Sequence, residues 1–285
     1  MGPRPGPQAP VPVGPCAPVP VGSVCPGPRG VRRLTRVTDP LVPSAGWGVL
    51  HLFCKVPIPP PSDEGTDARP WTTAATPLVD VEAVAAAVAK AEHDGVQVVT
   101  VAVLGHKADV GFMALGPDLW RLRSLQTHLQ GAGLMVVDSF VSLTEISEYA
   151  EGIPDEMKRT RLYPQLPPEG KTAFCFYPMS KRRGDAEGAN WFSMPFEERK
   201  AMMYGHGAAG RAFAGRIVQV ITGSTGIDDW EWGVTLFGVH PDDLKDCVYT
   251  MRFDEGSARF AEFGPFVTGM VAPVETVLAK VVEGV

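Results

Sequence analysis

Residues 80–105 read DVEAVAAAVAKAEHDGVQVVTVAVLG, and this stretch decides the fold. Its first part predicts a helix over residues 80–95, with Asp80 as the N-cap and Gly95 just past the end. The rest, 96–105, is rich in β-branched residues and predicts a strand. A second strand is predicted at 109–116, and we expect it to pair with the first. A helix followed by a strand pair is the centre of a βαββαβ unit.

Working outward from this stretch completes the unit and finds a second one. In the first half, a strand is predicted at 46–56, a helix at 117–133 that starts at Pro117 and ends by Gly131, and a strand at 134–145. The second half has the same order: a strand at 172–179, a helix at 195–214, strands at 216–224 and 230–238, a helix from 240, and a strand at 264–272. The sequence therefore predicts an α+β fold of two ferredoxin-like βαββαβ repeats that form a dimeric α+β barrel.

Composition divides the chain into three parts. Residues 1–43 have many Pro and Gly but few large apolar residues, which predicts a disordered tail. Residues 44–150 form the predicted N-terminal half, and residues 151–285 form the predicted C-terminal half. Within the first of these halves, residues 57–70 have the composition of an exposed loop.

Bulk properties exclude several classes of protein. The 285 residues are 45% hydrophobic and 20% charged, as in ordinary soluble domains. The net charge of −6 argues against a general nucleic-acid binder. No stretch approaches the roughly 18 apolar residues that a membrane span needs. The five cysteines are scattered without a CxxC pair, which argues against a zinc site and favours free thiols in a reducing cytoplasm. We therefore predict a cytoplasmic protein.

The candidate chemistry lies in FCFYPMSKRR (174–183) and NWFSMPFEERKAMMYGHG (190–207). Tyr177 ends an apolar strand, Lys181 belongs to a basic cluster, and His206 stands between two glycines. A phenol, fixed cations and one imidazole suit a large, flat, anionic cofactor and one-electron chemistry beside it. Each residue also has a plain structural reading: a hydrogen-bonded helix histidine, a packed strand-end tyrosine and a solvated lysine. From the residues alone, these alternatives stay open.

A second candidate group lies in MRFDEGSARF, residues 251–260. Arg252 has the geometry to bind a carboxylate with two parallel hydrogen bonds. Its structural alternative is an ion pair with Asp254 or Glu255. Ser257 follows in the same segment.

Five segments in order make the chain resemble the chlorite dismutase superfamily and, within it, the coproheme decarboxylases of actinobacterial type. The resemblance covers roughly residues 46–275. It rests on RLYPQLP (161–167), CFYPMSKRR (175–183), NWFSMPFEERKAMMYGHGAAGR (190–211), VQVITGSTGIDDWEWGVTLF (218–237) and MRFDEGSARFAEFGPF (251–266).

The resemblance implies roles for the candidate residues. His206 would be the proximal ligand of the haem iron. Tyr177 would be the tyrosine that becomes a radical and takes hydrogen from a propionate. Lys181 would assist at the second propionate or in proton transfer. The resemblance also implies that Arg161, Arg252 and Ser257 hold propionates.

The distal side resembles one branch of these decarboxylases. Gln219 falls where that branch has a glutamine and where chlorite dismutases have an arginine, so the resemblance implies decarboxylation rather than chlorite breakdown. The actinobacterial type is expected to have a distal histidine before the catalytic tyrosine. This chain has no histidine between His128 and His206, and Tyr163 occupies the RLYP segment. The base that deprotonates peroxide is therefore left open.

The predicted function follows from this resemblance. Fe-coproporphyrin III (coproheme) would act as substrate and as its own cofactor, hydrogen peroxide would be the oxidant, and haem b would be the product. The implied partners are four further copies of the chain, in a homopentamer, and a ferrochelatase upstream. The alternatives are a haem-binding carrier or sensor, and a chlorite dismutase or peroxidase of another substrate.

Overall fold

The computed structural model describes residues 39–58, 78–150, 152–184 and 188–283. Pro40–Val285 forms one compact unit. Residues 1–38 of the predicted tail lie outside the described residues, as does the predicted loop from residue 59 onward. No helix among the described residues is long and apolar enough to cross a membrane.

The first half has the predicted order of elements. They are β1 (Gly48–Lys55), α1 (Val81–His93), β2 (Gln97–Val103), β3 (Val110–Gly116), α2 (Leu119–Gly131) and β4 (Met135–Thr144). The Asp80 side chain accepts a hydrogen bond from the backbone N–H of Ala83, so the predicted cap is confirmed. The start of α2 was wrong by two residues. Asp118 caps this helix by accepting from the N–H of Trp120, and Pro117 therefore stays outside it.

The second half contains the predicted elements and three short elements that were not predicted. Its elements are α3 (Asp155–Leu162), β5 (Ala173–Lys181), α4 (Phe196–Arg211), β6 (Ile217–Gly223), β7 (Trp232–Gly238), α5 (Pro241–Met251), α6 (Glu255–Phe260), β8 (Ala261–Phe263), β9 (Val267–Val271) and α7 (Val274–Leu278). The unpredicted elements are α3, α6 and β8, and the longest of them is α3. It is strongly polar and buries none of its residues, so it has no apolar periodicity to detect.

The nine strands of the described residues form one antiparallel sheet that closes on itself. The order is β7-β6-β4-β1-β3-β2-β9-β5-β8, and β7 also pairs with β5. The order β4-β1-β3-β2 of the first half recurs as β9-β5-β7-β6 in the second. The predicted α+β class is confirmed. The two ferredoxin-like repeats and the dimeric barrel remain predictions with which this pairing agrees.

The core has an inner and an outer layer. Inside the closed sheet, aromatic and aliphatic side chains pack together, among them Phe53, Phe140, Phe174, Phe176 and Phe237. On the outside, α1, α2 and α7 cover the first half. Outside the second half, α5 covers part of β5 and β7 through Leu244 and Val248. Cys54 and Cys175 are free thiols that are buried like small apolar side chains.

Candidate functional site

The outer face of the second half carries Tyr177 and Gln219. Strand pairing aligns Tyr177 with Val234 and Val234 with Ile221, so these three form one row across the face. The next row holds Cys175, Leu236 and Gln219. Because neighbouring strands are about 4.8 Å apart and successive rows about 7 Å apart, Gln219 lies roughly 12 Å from Tyr177 on this face. Tyr177 is buried, whereas Gln219 is exposed.

Helix α4 carries His206 and packs against α5 and α6. None of its sixteen residues, all of them described, is buried. A Cβ added at Gly205 would meet nothing, and at Gly207 it would meet only the Arg211 side chain, at 3.7 Å. These glycines are therefore not required by packing within the chain. Their openness leaves room beside His206 for a planar group.

The His206 imidazole is held by its Nδ1 atom. Nδ1 lies 2.9 Å from Oδ2 of Asp254 and 3.3 Å from the hydroxyl oxygen of Ser257. The other oxygen of Asp254 accepts the backbone N–H of Ser257 and caps α6. With Asp254 as acceptor, Nδ1 carries the proton and Nε2 keeps its lone pair. An imidazole oriented in this way is prepared to bind a metal through Nε2.

Lys181 is joined to the same corner of the structure. Its ammonium donates to the carbonyl oxygen of Gly256 at 2.8 Å and lies 4.6 Å from the ring centroid of Trp191. Burial lowers the pKa of Lys181 from 10.5 to about 8, and the carboxylates of Asp254 and Glu231 oppose this change. Lys181 is therefore an ammonium at neutral pH that loses its charge in mildly alkaline solution.

Tyr177 lies in an apolar setting. Its ring stacks on Phe266 with centroids 4.5 Å apart and meets Phe263 edge-on at 5.5 Å. Burial raises the pKa of Tyr177 well above its ordinary value, and the neighbouring thiols Cys175 and Cys247 raise it further. The phenol therefore keeps its proton at any physiological pH. Oxidation of this side chain must remove a proton together with the electron.

The structure brings some predicted site residues together and leaves others apart. His206, Ser257 and Lys181 meet around the start of α6. Ser257 contacts the imidazole, which differs from the propionate contact implied for it. Arg161 is exposed near the end of α3. Arg252 is exposed at the end of α5, where its guanidinium lies 4.7 Å from the Tyr249 ring centroid.

The contacts of Asp254 and Glu255 exclude one of the two predicted roles of Arg252, the local ion pair. Within the described part of the chain, Arg252 makes no ion pair with Asp254 or Glu255. Asp254 binds His206 instead, and Glu255 pairs with Arg259 at 3.1 Å. The alternative of a local ion pair at Arg252 was therefore wrong.

Sequence reasoning missed Asp254, Trp191 and Glu231. Glu231 accepts the backbone N–H of Lys181 at 2.8 Å. Asp254 followed three residues later by Ser257 is a helix N-cap pattern, and this was the one usable signal. Nothing in the sequence links Asp254 to a histidine 48 positions away, because that contact depends on how α4 and α6 pack.

A cavity of about 370 Å³ opens on the face of α4 that points to α6. Met202 and Gly205 line it, together with Glu198, Glu255 and Arg259. Two carboxylates at its wall make it a poor site for a porphyrin with four carboxylates of its own. Neither His206 nor Tyr177 lines this cavity.

Comparison with known proteins assigns this arrangement to a family. The sequence model of the family described as Chlorite dismutase matches residues 79–272. The chain belongs to this family. It is 39% identical over 248 residues to the coproheme decarboxylase of Staphylococcus carnosus, covering 81% of this chain and 94% of that protein.

Two solved structures support the same assignment. A haem-binding protein from Thermus thermophilus is 34% identical, with a TM-score of 0.68, over 83% of this chain and 95% of the other. A chlorite dismutase from Candidatus Nitrospira defluvii has a TM-score of 0.61 over 84% and 97% of the two chains. At 17% identity, this second likeness shows the fold alone.

Proposed function

We propose that this chain is a hydrogen peroxide-dependent coproheme decarboxylase that converts Fe-coproporphyrin III to haem b. The single observation that carries the proposal is the setting of His206. This residue lies on α4, a helix with no buried residue, and its Nδ1 atom is hydrogen-bonded to Asp254. The 39% identity to the Staphylococcus carnosus decarboxylase supports it, since that match spans 94% of the relative.

His206 would hold the iron through Nε2. The Asp254 carboxylate would fix the tautomer and orientation of the ring and make the imidazole a stronger donor. When bound, the iron porphyrin supplies the oxidising power that peroxide delivers. The protein contributes the orientation of the porphyrin, a dry setting and the position of each proton.

Tyr177 would carry the oxidation from the porphyrin to a propionate. Its buried phenol loses an electron and a proton together, and it then regains both from the propionate as a hydrogen atom. In all, each propionate carboxylate loses carbon dioxide, one proton and two electrons and becomes a vinyl group. The hydrogen atom taken by Tyr177 accounts for that proton and one of the electrons. The two electrons, that proton and one proton from solvent reduce one peroxide to two waters, so two peroxides are consumed for each haem b.

The remaining residues have proposed roles in binding. Lys181 would offset the charge of a carboxylate or return a proton, because its ammonium titrates near pH 8. Gln219, exposed on the distal sheet face, would orient peroxide. Arg161 and Arg252 would meet propionates at the rim of the site, where solvent screens their charge. Ser257 would support the His206 ring.

The first experiment is mass spectrometry of the porphyrin after stepwise addition of peroxide. Wild-type protein should convert coproheme in two steps, each with the loss of one carboxyl group. Tyr177→Phe should bind coproheme and yield no haem b. Tyr204→Phe is the matched control, because Tyr204 is 74% exposed on α4. Full turnover by Tyr177→Phe would remove this tyrosine from the mechanism.

The same assay separates the alternatives. Binding of coproheme without conversion would indicate a carrier or sensor, and oxygen release from chlorite would indicate a chlorite dismutase. We also propose a cytoplasmic homopentamer that receives its substrate from a ferrochelatase. Light scattering should then give five times the 30.5 kDa mass of the chain.

A further inference from the structure

Residues 145–149 leave the end of β4 and cross from the sheet to α4; we call this segment the strap. At its start, the Glu145 side chain lies against Gly223 of β6, so close that a Cβ at Gly223 would collide with the carboxylate. Glu145 also accepts a hydrogen bond from the indole N–H of Trp232 at 3.2 Å. The strap therefore begins on the outer face of β6 and β7.

The other end of the strap is fixed to α4. The Nε–H of Arg199 donates to the hydroxyl oxygen of Tyr149 at 3.0 Å. The Tyr149 ring stacks on Phe196, with centroids 5.6 Å apart and planes 17° from parallel. Arg199 is held in place by a second bond, from Nη1 to the carbonyl oxygen of Met194 at 2.9 Å. The Arg199 side chain is 17% exposed, whereas that of Glu148, 3.6 Å away, is 57% exposed, so this ion pair adds little.

The contact points of the strap align with the proposed porphyrin site. Phe196, Arg199 and His206 occupy one stripe of α4, because at 3.6 residues per turn they fall within about 80° of one another around the helix axis. Arg199 is seven residues from His206, or about 10 Å along the helix. On the sheet, Gly223 is four residues from Gln219, or about 13 Å along the strand. The strap thus lies at a similar distance from the iron ligand and from the distal glutamine.

The strap is part of a longer segment between Thr144 and Tyr163, and the two ends of this segment are held by separate hydrogen bonds. The hydroxyl of Thr144 donates to the carbonyl oxygen of Leu162 at 2.8 Å. The hydroxyl of Tyr163 accepts the backbone N–H of Gly46 at 3.3 Å. The two ends of the segment therefore lie close together. Breaking the contact with α4 would release the strap and leave these end contacts in place.

We propose that Tyr149 and Arg199 are positioning residues that hold the strap closed across one end of the porphyrin cleft and so retain the porphyrin. This inference rests on the proposed function for the identity of the ligand. The latch is the hydrogen bond between the guanidinium and the phenol, supported by the stack on Phe196. The strap acts on entry and release of the porphyrin and takes no part in the oxidation.

The test uses Tyr149→Phe, which keeps the ring on Phe196 and removes the acceptor oxygen. Iron coproporphyrin III is bound to the full chain, and its transfer to excess apomyoglobin is followed by absorbance. We expect release to be about tenfold faster, the order for losing one hydrogen bond to a charged group. In turnover, KM should rise while kcat at saturation stays unchanged. Arg199→Gln should have the same effect, and the double variant should be no faster than either single variant.

A second measurement needs no porphyrin. In the apo-protein, backbone amides of residues 145–150 should exchange hydrogen faster in Tyr149→Phe than in wild type. Tyr204→Phe is the control for both measurements, since Tyr204 lies off the stripe of α4 that the strap contacts. Unchanged exchange and unchanged release would overturn the proposal, as would a fall in kcat with KM constant. If wild type binds no porphyrin but the exchange result holds, the proposed function fails and the latch stands.

Discussion

Acidification should destabilise this protein through His51, a residue with no part in the proposed reaction. His51 lies on β1 inside the closed sheet and is 1% exposed. Its Nε2 is 3.0 Å from the hydroxyl of Thr235, and its ring stacks 4.1 Å from that of Phe176. Its Nδ1 has no partner among the described residues. Burial lowers the pKa of His51 from 6.5 to about 3, because the charged imidazole has no water around it.

The sign and size of the effect follow from these two values. The unfolded chain binds a proton at His51 near pH 6.5, and the folded chain binds it only near pH 3. Stability is unaffected above pH 6.5 and falls as the pH drops from there toward 3. One pKa unit corresponds to about 1.4 kcal/mol, so the full effect is about 5 kcal/mol. Between pH 6.5 and 4.5, the loss should be about 2 kcal/mol.

The assay compares wild type with His51→Gln in the apo-protein. Glutamine does not titrate and still offers Thr235 a hydrogen-bond partner. Urea denaturation is followed by circular dichroism at pH 7.5, 6.5, 5.5 and 4.5. Titrating carboxylates affect both proteins alike, so the difference between the two slopes isolates His51. Equal slopes for the two proteins would refute the reasoning, whatever their absolute stabilities.

Three further predictions concern the site. Asp254→Asn should weaken the donor strength of His206 and lower the iron–imidazole stretching frequency of the ferrous haem complex in Raman spectra; an unchanged frequency would rule out the coupling. Lys181 loses its charge as the pH rises through about 8, so coproheme affinity in absorbance titrations should fall between pH 7 and 9. Lys181→Met should lack that fall. Gly223→Ala should push Glu145 aside and speed amide exchange in the strap, at a cost in stability under about 1 kcal/mol, measured by urea denaturation.

The sequence predicted the elements with strong local signals. Helix α1 has a capping aspartate, a run of alanines and a glycine at positive φ just after its end, so its bounds were nearly right. Helix α3 was not predicted because it is polar on all sides and packs no residue into the core. The closure of the sheet through β5 and β7 depends on strands more than 50 residues apart, which no local pattern encodes.

The candidate site was predictable to a similar extent. His206 and Tyr177 stood out because of their glycine and proline neighbours and the resemblance of the surrounding motifs. The Asp254 contact was not predictable, since it forms only when α6 docks on α4. The burial of Lys181 was also missed. A run of three basic residues looks solvated, yet Lys181 is on the covered face of β5 while Arg182 and Arg183 are exposed.

The lack of any buried residue in α4 affects how well the ligand-free protein resists proteolysis. A sixteen-residue helix with no buried residue gains less free energy from packing against its own chain than a core helix does. Whatever binds its open face then contributes to its folding through mass action. Apo-protein should be cut by proteases within α4 at concentrations that leave the loaded form intact. Cells short of iron porphyrin would thereby clear the unused copies first.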